Sequence, residues 1–352
     1  MSILDRARPE IRALTPYSSA RMEARGGTVM LNANESPLPN VGPALNRYPE
    51  PQPPDLLVRL AALYGVSPEQ LLIGRGSDEA IDLLVRAFCS AGRDAVLISP
   101  PTFGMYAVCA RIQNAAVIEA ALAADFSLDV PALIAAATPD TKLVFLCSPN
   151  NPTGGALAPE AVQTVARAFA GRALVVVDEA YAEFSQAASA IGLLGQHENL
   201  AVLRTLSKAH ALAGARIGCV LAAPDVIALL RRIQAPYPLP TPCVDAALAA
   251  LEPAALERTR ERIASLLRER ERLARALRGA ARVRAVLPSQ ANFVCARFDD
   301  GAAVYRTLLA QGIVVRDVGR YPGLRDCLRL SVGTPAENAR LIAALGAAEV
   351  AA

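Results

Sequence analysis

The chain of 352 residues has no tryptophan, two histidines and only two lysines, Lys142 and Lys208; its other 34 basic side chains are arginine. Arginine bias in coding explains the depletion without invoking function, but any chemistry that needs a lysine amine then has two candidates. The seven cysteines are odd in number and never spaced C-x-x-C, which argues against a disulfide framework or a zinc site and fits reduced thiols in a cytoplasm. His197 and His210 lack metal-ligand spacing and read as structural, so no metal is expected. No stretch approaches the roughly 18 consecutive apolar residues of a membrane span. The opening MSILDRARPEIRALTPY mixes acids and bases where a signal peptide needs an apolar core. A net charge of +3 is too weak to call for nucleic acid or a membrane surface as partner. These absences leave a cytosolic enzyme as the expectation.

What is present reads as a large folded core, with 53% hydrophobic residues and a length of about two domains. Residues 1–54, rich in Pro, Asn and Gly and closed by PEPQPPD, read as an extended arm. Helical patterns then occupy 55–64, 78–90, 104–112, 159–170 and 224–234. Between them lie the runs 95–100, 142–149, 173–181, 200–207 and 216–223, apolar on both faces. Such runs alternating with helices predict an α/β fold whose largely parallel sheet is covered on both sides. After APYPLPTP at 235–242 comes a long helical stretch over 244–280, broken near Pro253. The strands VRAVLP, NFVCARF, GIVVRDV and CLRLSVG, with helices at 301–311 and 335–348, predict a smaller α+β domain.

Polar clusters follow several of the predicted strands, where an open α/β sheet binds ligands. Gly74-Arg75-Gly76-Ser77-Asp78-Glu79 opens a helix and offers N–H groups to a phosphate; an ordinary cap from Ser77 or Asp78 would explain the same string. Ser148-Pro149-Asn150-Asn151-Pro152-Thr153-Gly154-Gly155 is either plain turn chemistry or a loop aiming an Asn at a ligand. Asp178, in Asp178-Glu179-Ala180-Tyr181, ends the apolar run LVVV. A carboxylate there is costly unless paired or used, so it either contacts a cationic ligand atom or caps a turn. In Thr205-Leu206-Ser207-Lys208, alanines and leucines surround the lysine, and desolvation makes an amine nucleophilic. Lys142, after Pro139-Asp140-Thr141, looks like a solvated turn residue.

In this order, together with Arg216, the four clusters resemble the fold-type I pyridoxal-phosphate aminotransferases. LNANESP at 31–37, LNRYPEPQP at 45–53, RTLSKAHALAGARIG at 204–218 and APYPLPTP resemble the histidinol-phosphate aminotransferases among them. The similarity runs from about residue 15 to 348. It implies a large domain with a mostly parallel seven-stranded sheet at 51–243 and a small C-terminal domain at 244–352. Residues 1–50 would form the N-terminal arm and part of the small domain.

The resemblance also implies roles. Lys208 would hold pyridoxal 5'-phosphate as a Schiff base and then shuttle a proton. Asp178 would keep the pyridine nitrogen protonated, Tyr181 and Asn151 would bond the ring oxygen, and Phe103 would stack on the ring. Ser77, Asp78, Ser207 and Arg216 would hold the phosphate, joined by Tyr48 from the partner of a homodimer with shared active sites. Tyr17, Asn34, Arg316 and Arg329 would bind substrate. Some relatives carry Tyr where this chain has Phe103, which leaves stacking but no hydroxyl. The implied reaction transfers an amino group between glutamate and imidazole-acetol phosphate, giving histidinol phosphate and 2-oxoglutarate in histidine biosynthesis. Threonine-phosphate decarboxylation and transfer from aromatic amino acids remain alternatives. A regulator with an aminotransferase-like domain is set aside, because it needs a DNA-binding segment for which there is no room before Tyr17.

Overall fold

The structure, a computed structural model, describes residues 2–17, 29–40 and 45–346. Its main sheet has seven strands in the order β1-β7-β6-β5-β4-β2-β3. These are β1 (Leu71–Gly74), β2 (Ala95–Ile98), β3 (Ala116–Glu119), β4 (Thr141–Cys147), β5 (Leu174–Asp178), β6 (Leu200–Thr205) and β7 (Gly218–Ala222). Only β7 runs antiparallel to its neighbours. Alternate residues serve opposite faces, as the two-residue period of a strand requires. Phe145, Val176 and Leu203 pack under helices Ser77–Phe88, Met105–Ile112 and Pro224–Arg231. Val144, Val175 and Val202 pack against helices Pro54–Tyr64, Pro159–Ala168 and Thr241–Ala250. The five expected strands are all present. The two edge strands, each of four residues, had not been singled out, and β3 is exposed at Ala116 and Glu119.

Pro253 restarts the chain as a second helix, Pro253–Arg278, after Thr241–Ala250 ends. Proline suits the first helical turn because its missing N–H would have no partner there. The smaller sheet is wholly antiparallel, ordered β10-β11-β9-β8, with β8 (Val283–Val286), β9 (Phe293–Phe298), β10 (Arg316–Asp317) and β11 (Cys327–Ser331). Its core joins Leu273 and Leu277 to Val294, Phe298, Leu328, Leu330 and Leu341. The strand expected at GIVVRDV shrinks to two residues: it lies at the sheet edge, and its Val314 stays 77% exposed.

The first residues of the arm pack on the main sheet. Ile3 and Ala7 are buried in the main-sheet core, and the Arg8 N–H donates to Ala87 O at 2.9 Å. Arg232 Nη1 donates to Leu14 O at 3.2 Å. Two apolar residues in a charged segment are enough to seat this end of the arm on the large domain.

Where β7 passes the turn after β1 there is no room for a side chain at Gly218. A Cβ on Gly218 would lie 2.5 Å from both Gly76 C and Ser77 N. Gly218→Ala should therefore displace that turn and cost about 1–3 kcal/mol, the usual range for overpacking. Urea unfolding should show a lower midpoint with an unchanged slope; an unchanged midpoint would mean that the turn yields freely.

Candidate active site

Strands β4, β5 and β6 deliver their carboxyl ends to one cavity of ≈ 100 Å³. Asp178, Asn151, Ser207 and Lys208 line it from the strand ends, and Tyr181 from the loop after β5. Ser77, Asp78 and Arg216 close one side, and Phe103 another. Residues up to 139 positions apart in sequence thus share one wall, because parallel strands start their loops at the same edge. A larger cavity of ≈ 320 Å³ opens behind Asn150, between Leu122, Phe126 and Leu287, but none of the candidate residues lines it.

Asp178 is 3% exposed and ends β5 in a fully paired stretch of sheet. Its Oδ1 accepts from the Ala180 N–H at 3.1 Å and its Oδ2 from the Tyr106 hydroxyl at 2.7 Å. Burial pushes its carboxyl up to about 6, against the two hydrogen bonds, which pull it down. Among the described residues no ion pair engages it. Turn-capping by Oδ1 therefore happens, but it leaves the charge unneutralised. Tyr106 had not been singled out: a tyrosine on an apolar helix face looks like core, and only the fold brings it to Asp178.

Lys208 lines the same cavity, its Nζ 5.6 Å from the centre of the Tyr181 ring. Burial lowers its ammonium first, and the nearby Arg329 and Arg216 add to that. Lys142 sits at the far end of β4, with its Nζ 3.7 Å from Asp94. The amine of the site is Lys208.

The phosphate reading of the glycine turn gains support from its cap. Gly76 is the N-cap of helix Ser77–Phe88 and no side chain caps it. Ser77 and Asp78 stand one and two residues inside the helix, so their N–H groups remain available. Arg216 Nη2 lies over the turn and donates to Asp78 Oδ2 at 3.1 Å. A Cβ on Gly76 would come 2.6 Å from that nitrogen, and the residue's φ of 80° also favours glycine. Ser207 is fixed by donating its N–H to Thr205 Oγ1 at 3.1 Å.

Arg329 projects from β11 and donates from Nη1 to Asn151 Oδ1, with its guanidinium 5.3 Å over the Phe293 ring. Arg316 is directly opposite it across the β10–β11 pair. Two like charges face to face repel, and an anion between them would relieve that. Asn150, the neighbour of Asn151, is structural: its amide donates to Pro101 O and Thr153 Oγ1 and accepts from Thr102 Oγ1.

A sequence profile described as aminotransferase class I and II matches residues 28–345. Histidinol-phosphate aminotransferase from Xanthomonas euvesicatoria pv. vesicatoria (strain 85-10) is 56% identical over 351 residues, covering 98% of this chain and 97% of that protein. The enzyme of that name from Stenotrophomonas maltophilia (strain R551-3) is 57% identical over 357 residues, 99% and 98% of the two chains. The chain belongs to the class I and II aminotransferases. Among solved structures, histidinol-phosphate aminotransferase from Sinorhizobium meliloti in complex with pyridoxal-5'-phosphate superposes with a TM-score of 0.78 at 31% identity, covering 86% of this chain and 82% of that one.

The cofactor of this aminotransferase is pyridoxal phosphate, and the cavity suits it. A buried carboxylate without a cationic partner among the described residues matches a protonated ring nitrogen. An uncapped helix start with Arg216 matches a phosphate, and a half-desolvated amine matches an aldehyde. Tyr17, Asn34 and Tyr48 are not brought to this cavity within the chain. Tyr17 is 70% exposed, Asn34 is exposed in a left-handed conformation, and the Tyr48 ring stacks on Tyr237 at 4.4 Å. Arg316 is also exposed. Glu35, inside LNANESP, was another unforeseen contributor: it accepts from the Tyr48 N–H at 2.7 Å and from Arg47 at 2.9 Å. His210 is buried beside the site, its proton affinity lowered by burial, and nothing in its contacts suggests catalysis.

Borohydride reduction of the enzyme with its cofactor, followed by peptide mapping, should leave the pyridoxyl group on Lys208. Recovery on Lys142 would overturn the assignment. Lys208→Ala should abolish transamination while still binding the cofactor non-covalently.

Proposed function

We propose that this aminotransferase moves an amino group between L-glutamate and imidazole-acetol phosphate, yielding 2-oxoglutarate and L-histidinol phosphate in L-histidine biosynthesis. The observation that carries the reading is near-full-length identity of 56–57% to proteins of that name. The bound cofactor supplies an electron sink for the electrons released at the substrate Cα. Around it, Asp178 would hold the ring nitrogen protonated, Tyr181 and Asn151 would orient the ring oxygen, and Phe103 would pack on the ring face. Ser77, Asp78, Ser207 and Arg216 anchor the phosphate. Lys208 Nζ would hold the cofactor's aldehyde and, as a free amine, would carry the proton away from the substrate Cα; its lowered affinity for protons suits a base.

Arg329 and Arg316 receive the anionic end of either substrate, with Tyr17 and Asn34 completing the site for the phosphate ester. We place Tyr17 and Tyr48 in the active site of a second copy, in a cytoplasmic homodimer with shared sites. Support comes from the arm, where Leu14, Val29, Leu31, Leu38 and Leu45 are all large, apolar and exposed. Exposed apolar side chains of this number in one segment suit a surface that a partner covers. Among the described residues no helix is long and apolar enough to cross a membrane.

Single-turnover kinetics of each half-reaction test the anion site. Arg329→Ala should slow both halves by roughly 10- to 100-fold, as expected for losing a charge-assisted hydrogen bond. Arg329→Lys should not restore them, since an ammonium cannot reproduce a planar fork. Tyr17→Phe should slow mainly the phosphate-bearing half. Wild-type rates and affinities for Arg329→Ala would make it a surface arginine and the assignment wrong.

A further inference from the structure

We propose that Tyr106 is the positioning residue of the Asp178 carboxylate: its hydroxyl and the Ala180 N–H take one carboxylate oxygen each and hold the group ionised and turned to the cavity. The inference rests on the reading of Asp178 as the partner of the cofactor's ring nitrogen. Three features of the structure support it. The contact is short, 2.7 Å, between two buried groups, so water does not compete for it. The phenol is itself immobile: its ring stacks on Phe145 at 4.7 Å and 5°, and meets Phe103 edge-on at 5.6 Å and 82°. Phe103 lines the cavity as well, so one run of rings ties the stacking face to the carboxylate.

The electrostatic surroundings explain why a donor is needed. Asp78 and Glu179 push the Asp178 carboxyl up together with burial, and buried Cys147 and Tyr181 face it without supplying a cation. Lys208 is the nearby cation, and the same burial weakens its hold on a proton. With the carboxyl raised from 3.8 to about 6, the folded protein holds this proton more tightly than the unfolded chain does. The carboxyl's contribution to stability is therefore greatest in acid, declines as pH rises from about 4 to about 6, and stays flat above. Tyr106 opposes that penalty, because its hydrogen bond favours the ionised form. Removing the hydroxyl should push the carboxyl higher still.

Cofactor titration of the cofactor-free protein between pH 5.5 and 8.5, followed by absorbance, is the test. A cationic ring nitrogen needs ionised Asp178, so affinity should rise with pH through the carboxyl's titration. Tyr106→Phe keeps the ring stack and should bind on the order of ten-fold more weakly near pH 6.5, with its midpoint at higher pH and the deficit shrinking as pH rises. Asp178→Asn should bind weakly with that rise gone. The double variant should match Asp178→Asn, because Tyr106 acts only through the carboxylate. A wild-type midpoint and affinity for Tyr106→Phe, or a further loss in the double variant, would overturn the proposal while leaving the role of Asp178 intact. Wild-type binding by Asp178→Asn would instead sink the reading of Asp178 and this inference with it.

Discussion

Two successive carboxylates at the end of β5 meet opposite fates, and the active site is organised around the difference. Burying an ion costs several kcal/mol even after relaxation, so each must be answered. Glu179 is answered from within: Arg204 Nη1 donates to it at 2.9 Å, Ser189 Oγ at 2.6 Å and the Ala190 N–H at 2.6 Å. Arg204 also bridges to Glu183 at 2.8 Å, so this pair closes on itself. Asp178 receives two hydrogen bonds but no cation, and its carboxyl stays raised to about 6. Successive residues at the end of an extended strand thus separate a charge paired within the protein from one that, among the described residues, has no cation.

The rest of the cavity follows the same logic of groups held in place but not consumed. Arg216 pairs with Asp78 at 3.1 Å, yet both side chains are nearly half exposed, and such pairs are worth little. The guanidinium can therefore turn its remaining N–H groups to a phosphate at small cost. Helix Ser77–Phe88 begins without a side-chain cap although serine and aspartate stand one and two residues inside it. Gly76 and Gly218 permit this, the first by admitting Arg216 over the turn and the second by letting β7 pass against its backbone. Lys208, surrounded by the same arginines, holds its proton less tightly than an exposed lysine.

What the sequence made legible was whatever carries its own signature. Uninterrupted apolar runs separated by helices disclosed the covered sheet, and polar residues at their carboxyl ends disclosed most of the cavity. The edge strand β3 escaped because it is exposed at both ends and so lacks the run of buried residues that marked the central strands. GIVVRDV misled because β-branched composition cannot tell a strand from an exposed edge segment. Tyr106 escaped for a deeper reason: its contact with Asp178 spans 72 positions, and a buried tyrosine on a helix is ordinary core until the fold supplies its partner. The seating of Ile3 and Ala7 on the large domain was hidden for the same reason, since two apolar residues among charges form no periodic face.

The arm is bound to the cofactor turn more directly than its exposure suggests. Gln52 sits beside β1, its Nε2 donating to Ile73 O at 2.9 Å and its Oε1 accepting from the Ile73 N–H at 2.9 Å. Gln234 Nε2 donates to the same carbonyl at 2.8 Å, and the two glutamines bond each other at 3.0 Å. LNRYPEPQP therefore meets APYPLPTP through the Tyr48–Tyr237 stack and the preceding Gln234 through Gln52, satisfying an edge-strand residue that no further strand covers. The next residue along β1 is Gly74, where the phosphate turn begins. A constraint on Tyr48 at one end of this contact therefore bears on the start of that turn at the other, through side chains that already answer the Ile73 backbone.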